Sequence, residues 1–186
     1  MNTVLGGLAG LAALASHTGS AAAEPWRATR GSLEAIGNGG YFLASDAAPG
    51  RYSEGELVSR DAIALPFRLE VTWRRLGPEA GRSMHVTVAG GVVLIKSGAV
   101  AFYAYDDAAF GSVPWRAVPG YATHDEHVVT VAQDGREVRV MLDGRPIARY
   151  ALAVTRASAY VGVGMKAAPG LRSSIYVRSL AVAHSQ

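Results

Sequence analysis

The chain has 186 residues, of which 49% are hydrophobic and 18% charged, a composition typical of a folded protein and not of a disordered one. It contains no cysteine, which excludes disulfides, thiolate metal ligands and a cysteine nucleophile. The formal net charge is +3, and no basic run is longer than the pair Arg74-Arg75. Because nucleic-acid-binding proteins usually carry a clustered basic stripe, no nucleic-acid partner is expected.

The first residues have the layout of a secretory signal. An apolar run over 4–15 is followed by small residues that end at Ala23, directly before Glu24. The sequence therefore predicts a signal peptide over 1–23 and a single exported domain over 24–186, periplasmic or secreted. The run is shorter than the about 20 apolar residues of a transmembrane helix, so no stable membrane span is expected after cleavage. An uncleaved anchor is the alternative, because no Lys or Arg precedes the run.

Alternation of apolar and polar residues is the main pattern of the rest of the chain, and it predicts half-buried β-strands. The clearest case places four apolar residues on one face and four polar residues on the other: Phe67, Leu69, Val71 and Trp73 against Arg68, Glu70, Thr72 and Arg74. A slip of one residue would bury two arginines and a glutamate, so the pairing register of this strand is well specified.

Further strands are predicted between glycine-rich and proline-containing connections, over 40–44, 56–60, 84–88, 92–97, 100–105, 159–165 and 174–183. Two Asp-Gly pairs, at 134–135 and 143–144, are typical of tight hairpin turns. They predict a three-stranded antiparallel meander over 127–152. Many short strands with turn signals between them favour one all-β sandwich or barrel.

Three parts of the chain resemble the concanavalin A-like lectin/glucanase jelly rolls, which include the laminin-G-like domains. They are the strand pair at 57–60 and 66–71, the strand pair at 127–131 and 138–144 with its closing Asp-Gly turn, and the last strand at 175–182. The resemblance implies an antiparallel β-sandwich of jelly-roll type. The superfamily contains lectins, glycosidases, polysaccharide lyases and adhesion modules, so it implies a carbohydrate ligand and leaves the activity open.

The stretch from 103 to 121 is the best candidate for ligand binding. Aromatic rings stack on the apolar faces of sugars, and neighbouring polar groups bind the hydroxyls. Aromatic side chains here alternate with Asp106, Asp107 and an arginine. The predicted ligand-binding residues are Tyr103, Tyr105, Trp115, Arg116 and Tyr121. The alternative is that Phe110 and Trp115 only pack this loop against the edge of the sandwich.

Carboxylates and histidines offer no sharp catalytic or metal motif. Glycoside hydrolysis needs two carboxyl groups beside the bond, and the one-strand Glu-x-Asp motif of the related glucanases is missing. Glu54 and Glu56 share a phase but lie beside glycines, which predicts solvated loop acids. The cluster over 124–127 matches no zinc spacing and is interpreted as a junction from loop to strand. No metal site and no cofactor are predicted.

Arg68, Arg74 and Arg139 together with His85 resemble the residue types with which polysaccharide lyases of this superfamily neutralise a carboxylate and abstract a proton. The Lys-containing, Tyr-flanked motif of alginate lyases is absent, since 164–167 reads Gly-Met-Lys-Ala. The sequence therefore predicts no catalytic residues and favours an exported, non-enzymatic binding module for a glycan or cell-envelope surface. A lyase or glycoside hydrolase on the same fold is the first alternative. A structural or protein-binding envelope protein is the second.

Overall fold

The computed structural model describes residues 25–36, 40–79, 83–105, 114–153 and 156–184. The predicted signal segment over 1–23 lies outside these residues, as do Asp106, Asp107 and Phe110. All regular elements of the described part are β-strands. Among these residues, no helix is long and apolar enough to cross a membrane.

Strands β1 to β16 are, in chain order, Trp26–Arg30, Ser32–Ile36, Gly40–Asp46, Ser53–Ser59, Ile63–Ala64, Phe67–Leu76, Met84–Val88, Gly91–Lys96, Ala99–Ala104, Arg116–Ala117, His127–Asp134, Glu137–Leu142, Arg145–Ala151, Ser158–Ala159, Gly162–Ala167 and Arg172–His184. Two seven-stranded antiparallel sheets hold fourteen of them, and β5 pairs with β14 separately. The front sheet has the order β1-β4-β15-β7-β8-β9-β10, and the back sheet has the order β13-β12-β11-β6-β16-β3-β2. The antiparallel sandwich predicted from the sequence is confirmed.

The predicted meander forms one side of the back sheet, where β11, β12 and β13 pair in succession. Its second turn places Asp143 at φ 49° and Gly144 at φ 76°. Positive φ at both central residues is the geometry of the two-residue hairpin turn that the Asp-Gly pair favours. The Asp143 carboxylate also accepts a hydrogen bond from the backbone N–H of Val128, at 2.9 Å.

The core lies between the inner faces of the two sheets. On β6 the apolar residues alternate inward as predicted, and Phe67, Leu69, Val71 and Trp73 are fully buried. The front sheet contributes inward residues in the same way, among them Val86, Val93 and Val163. Each fully buried side chain of this size stabilises the fold by about 1.5–3 kcal/mol relative to exposure.

Strand β15 separates the core from the outer face of the front sheet. Its odd-numbered residues Val163 and Met165 are buried in the core. Its outward positions are Gly162, Gly164 and, at the end, Lys166. A side chain at Gly164 would bring its Cβ within 2.3 Å of the carbonyl oxygen of Gly55 and 2.5 Å of Nε2 of His85. The missing side chains of Gly162 and Gly164 therefore leave space on the outer face, and side chains of the neighbouring strands occupy it.

Candidate functional site

A groove of about 480 Å³ lies on the outer face of the front sheet. It crosses six neighbouring strands, from β1 through β4, β15, β7 and β8 to β9. The residues that line it are Arg30, Glu54, Glu56, Ser83, His85, Thr87, Val92, Leu94, Tyr103, Tyr105 and Lys166. We call it the front groove.

Strand pairing brings together charged residues that are far apart in the sequence. Gly164 lies opposite Glu56 on one side and opposite His85 on the other, while Lys166 lies opposite Glu54. Alternate residues of a strand share a face, so both glutamates point into the front groove. The absence of a side chain at Gly164 lets His85 and Glu56 approach each other across β15.

The prediction that Glu54 and Glu56 are solvated loop acids is wrong. They belong to β4, and their side chains are only 29% and 20% exposed. The flanking Gly55 misled the interpretation, because it suggested a turn. Its function is packing: a Cβ there would lie 2.9 Å from Cε of Met165.

Glu54 forms ion pairs with two cations of the groove. Its carboxylate contacts the guanidinium of Arg30, and Nζ of Lys166 donates to it at 3.2 Å. Burial alone raises the pKa of Glu54, but the hydrogen bond and charge of Lys166, aided by His85 and Arg30, outweigh burial and lower it. Glu54 is therefore ionised at neutral pH and screens both cations.

Glu56 is held by hydroxyl donors instead. Thr87 donates to its Oε1 at 2.8 Å, and Thr29 donates to its Oε2 at 3.0 Å. Nε2 of His85 is 3.9 Å from the same Oε1. Burial lowers the pKa of His85, although Glu56 and Glu54 act in the opposite direction. The imidazole is therefore neutral at pH 7 and can exchange hydrogen bonds with a ligand.

Tyr103 and Tyr105 form the aromatic wall of the front groove. Their rings meet edge to face with centroids 6.3 Å apart, and Tyr105 is 49% exposed. The hydroxyl of Tyr105 is hydrogen-bonded to Thr87, and burial raises its pKa. Through Thr87, the ring of Tyr105 is tied to the carboxylate of Glu56.

The other predicted binding residues are distributed over three places. Trp115 is 40% exposed and lies under Lys96, whose Nζ is 4.2 Å from the ring centroid. Lys96 continues the outward row of Val92 and Leu94 on β8, so Trp115 lies on the same side as the front groove.

Arg116 points the other way and lies over the ring of Tyr150, 5.3 Å from its centroid. Adjacent residues of an extended chain face opposite sides, which explains why Trp115 and Arg116 diverge. Tyr121 is only 5% exposed and packs against His127. The structure does not bring Arg116 and Tyr121 to the front groove, and a binding role for them stays a prediction.

The polar cluster over 124–127 stabilises a junction. His127 is the first residue of β11, and its Nδ1 lies 2.8 Å from Oδ2 of Asp143. Glu126 forms an ion pair with Arg178 at 2.9 Å. Within the described ranges, no group of three or more histidine, aspartate or glutamate side chains is arranged to hold a metal ion.

The set of residues that suggested a lyase is divided between the two sheets. His85 lies in the front groove, whereas Arg68, Arg74 and Arg139 are exposed on the back sheet. Sequence reasoning missed the cations that do line the groove, Arg30 and Lys166. The available signal was the alternation of Lys166 with the outward glycines of β15.

Comparison with known proteins supports the fold. No family model matches the sequence, and no curated protein matches it. Among solved structures, a prokaryotic β-1,3-1,4-glucanase (lichenase) from a mouse hindgut metagenome is 15% identical, with a TM-score of 0.63 over 86% of this chain and 93% of that one. The carbohydrate-binding module CBM66 from Bacillus subtilis is 14% identical, with a TM-score of 0.61 over 85% and 94%.

The family 7 alginate lyase A1-II′ is also similar, at 12% identity and a TM-score of 0.60 over 82% of this chain and 83% of that one. Identities this low show the fold alone. The chain has the concanavalin A-like jelly-roll fold, as its sequence predicted. Proteins with this fold include binding modules and enzymes, so the function must be argued from the site.

Proposed function

We propose that this protein is an exported binding module that holds a glycan chain in the front groove. The observation that carries the proposal is the combination of a tyrosine pair, of which Tyr105 is exposed, with closely spaced hydrogen-bond donors and acceptors in one open groove. Tyr103 and Tyr105 supply faces for sugar rings. Lys166 and Arg30 supply donors, and Glu54 and Glu56 supply acceptors for the hydroxyls.

Preorganisation also supports binding. Thr29 of β1, Glu56 of β4, Thr87 of β7 and Tyr105, which directly follows β9, form one hydrogen-bonded series. This series orders the exposed ring before a ligand arrives. A side chain that is already ordered loses less conformational entropy on binding. The fold is consistent with this role, since one similar structure is a carbohydrate-binding module.

The test uses Tyr105→Ala with Tyr176→Ala as its matched control. Tyr176 is a tyrosine on the back sheet that contacts Arg74, so its loss leaves the front groove unchanged. We expect Tyr105→Ala to weaken binding to the polysaccharide that binds best in a panel of neutral and acidic polymers by at least about fivefold, because a stacked ring contributes on the order of 1–3 kcal/mol. Calorimetric titration gives the affinities, and equal affinities of the two variants would contradict the assignment.

A polysaccharide-active enzyme is the second candidate, favoured by one observation. A neutral His85 lies 3.9 Å from Glu56 in a groove that also holds Lys166, so a proton acceptor and a cation are near each other. Measuring released reducing ends in the same titrations separates the two functions. Saturable binding without product supports the binding module, and product supports the enzyme. Neither signal would favour a structural or protein-binding envelope protein.

Export is part of the proposal and rests on the sequence of residues 1–23. When the full chain is produced in a Gram-negative host, we expect the mature protein in the periplasm with Glu24 as its first residue. Intact-mass measurement of the periplasmic fraction tests this expectation. A full-length mass in the membrane fraction would favour the uncleaved anchor instead.

A further inference from the structure

We propose that the front groove selects an uncharged glycan segment over an acidic one, because its charged side chains neutralise one another. The inference rests on the proposed function, since it names the class of glycan that the same groove accepts. Its basis is the pairing of charges among the described lining residues, which include two cations and two carboxylates.

The two cations among the described lining residues share a single carboxylate. Arg30 and Lys166 both contact Glu54, from the strands on either side of β4. Glu56 lies two residues further along the same face and accepts hydrogen bonds from two threonine hydroxyls. Neither cation is therefore available as an isolated positive charge, and a second negative charge lies next to the pair.

Paired cations and carboxylates of this kind are suited to binding sugar hydroxyls. A hydroxyl donates and accepts, so it can bridge Lys166 and Glu54 without disturbing their ion pair. A uronate or sulfate close enough to bind Lys166 would also lie close to Glu54. The repulsion between two carboxylates in a partly desolvated groove counteracts the attraction to the lysine. Selectivity against the acidic ligand follows from this repulsion.

Cations further out on the same face are packed on aromatic rings. Lys96 lies over Trp115, and Arg27 lies over Tyr160 at 5.8 Å. Arg156 is exposed near Tyr105. Salt at about 0.15 M screens the attraction of these charges for an anion beyond about 8 Å. Selectivity is therefore best measured at this ionic strength.

The experiment compares matched ligands that differ only in charge. Hexasaccharides of mannuronate, galacturonate and glucuronate are each paired with the neutral hexasaccharide obtained by reducing their carboxyl groups. Affinities for the purified protein are measured by calorimetry at about 0.15 M salt. In every pair that binds, we expect the neutral member to bind at least about tenfold more tightly, on the scale of one like-charge contact in a partly exposed site.

The variant Glu54→Gln removes the neutralising charge and keeps the side-chain size. We expect it to reduce the preference for the neutral hexasaccharide by at least about tenfold, because Arg30 and Lys166 then lack their common partner. Glu137→Gln is the matched control. Like Glu54, Glu137 is a carboxylate paired with two cations, here Arg139 and Arg149, but it lies on the back sheet. Its loss should leave the preference unchanged.

Tighter binding of an acidic member by the native protein, or an unchanged preference in Glu54→Gln, would overturn the inference and leave the proposed function standing. Equal loss of preference in Glu137→Gln would overturn it too, since the effect would then come from net charge. Failure of every oligosaccharide and every polysaccharide of the panel to bind would refute the proposed function itself, and the inference with it.

Discussion

His85 is a buried side chain whose charge depends on pH. Burial lowers its pKa below the value of 6.5 expected in the unfolded chain, although Glu56 and Glu54 oppose this; Lys166 and Arg30 lower it further. Between the two pKa values the unfolded chain binds a proton and the folded protein does not. The free energy of unfolding therefore decreases as the pH falls through 6.5 toward the folded-state pKa, and this contribution is constant above 6.5.

Replacing His85 with glutamine should remove this dependence. Relative to His85→Gln, we expect the native protein to lose up to about 1.4 kcal/mol of stability per pH unit between 6.5 and the folded-state pKa. Urea unfolding at several pH values measures the difference. The control is His124→Gln, because His124 is exposed. A native curve parallel to that of His85→Gln over this range would refute the prediction.

Asp143 links a hairpin turn to the start of a strand. It adopts a positive φ between β12 and β13. Its carboxylate accepts a hydrogen bond from the backbone N–H of Val128 and contacts the ring of His127. Burial raises the pKa of Asp143, but the hydrogen bonds of Val128 and His127 outweigh burial and lower it. The local Asp-Gly sequence encodes the turn, and the tertiary contact ties it to β11.

Substitution at this turn separates the two contributions. We expect Asp143→Ala to destabilise the fold by about 1–3 kcal/mol, because it loses the hydrogen bond and places alanine at positive φ. Asp143→Asn should cost clearly less, since asparagine tolerates positive φ and its amide oxygen can accept from Val128. Urea unfolding of both variants at neutral pH checks this order. Equal losses would mean that the charge of Asp143, and not its conformation or its acceptor oxygen, stabilises the turn.

Strands were predictable where one face is buried and the other is exposed to solvent. On β6, β7 and β12 the alternation is visible in the sequence because the core is on one side only. The edge strands β1 and β2 escaped prediction because nearly all their side chains are exposed, so no period remains to be read. Their pairing depends on the neighbouring strand, which the local sequence does not contain.

The front groove was only half predictable, for a related reason. Tyr103 and Tyr105, which line the groove, were predictable as candidates because aromatic residues interleaved with polar ones are a recognisable pattern in the sequence. The contact between Glu56 and His85 depends on Gly164, which lies far along the chain and inserts between them in the sheet. Sequence spacing cannot show that arrangement.

The burial of Arg75 was also not predictable from the sequence. Arg75 is buried at the end of β6, where its side chain donates to the carbonyl oxygens of Pro78 and Glu79.

The dimensions of the whole sheet set the length of ligand that the front groove can accept. The groove crosses six adjacent strands, and neighbouring strands lie about 4.8 Å apart, which gives a length of about 24 Å. That length accommodates several linked sugar rings. Trp115 lies on the same side, under Lys96, which follows Leu94 of the groove along β8.

These dimensions predict that affinity depends on chain length. For a neutral oligosaccharide series of the type that binds best, affinity should increase with each added sugar until the groove is filled, and then remain constant. Trp115→Ala should weaken binding of the longest members by at least about fivefold, on the scale of one aromatic contact of about 1 kcal/mol, and leave the shortest unaffected. Calorimetric titration of the series against both proteins measures the two effects. A disaccharide that binds as tightly as a hexasaccharide would show that the protein recognises a chain end and that the length of the groove has no part in binding.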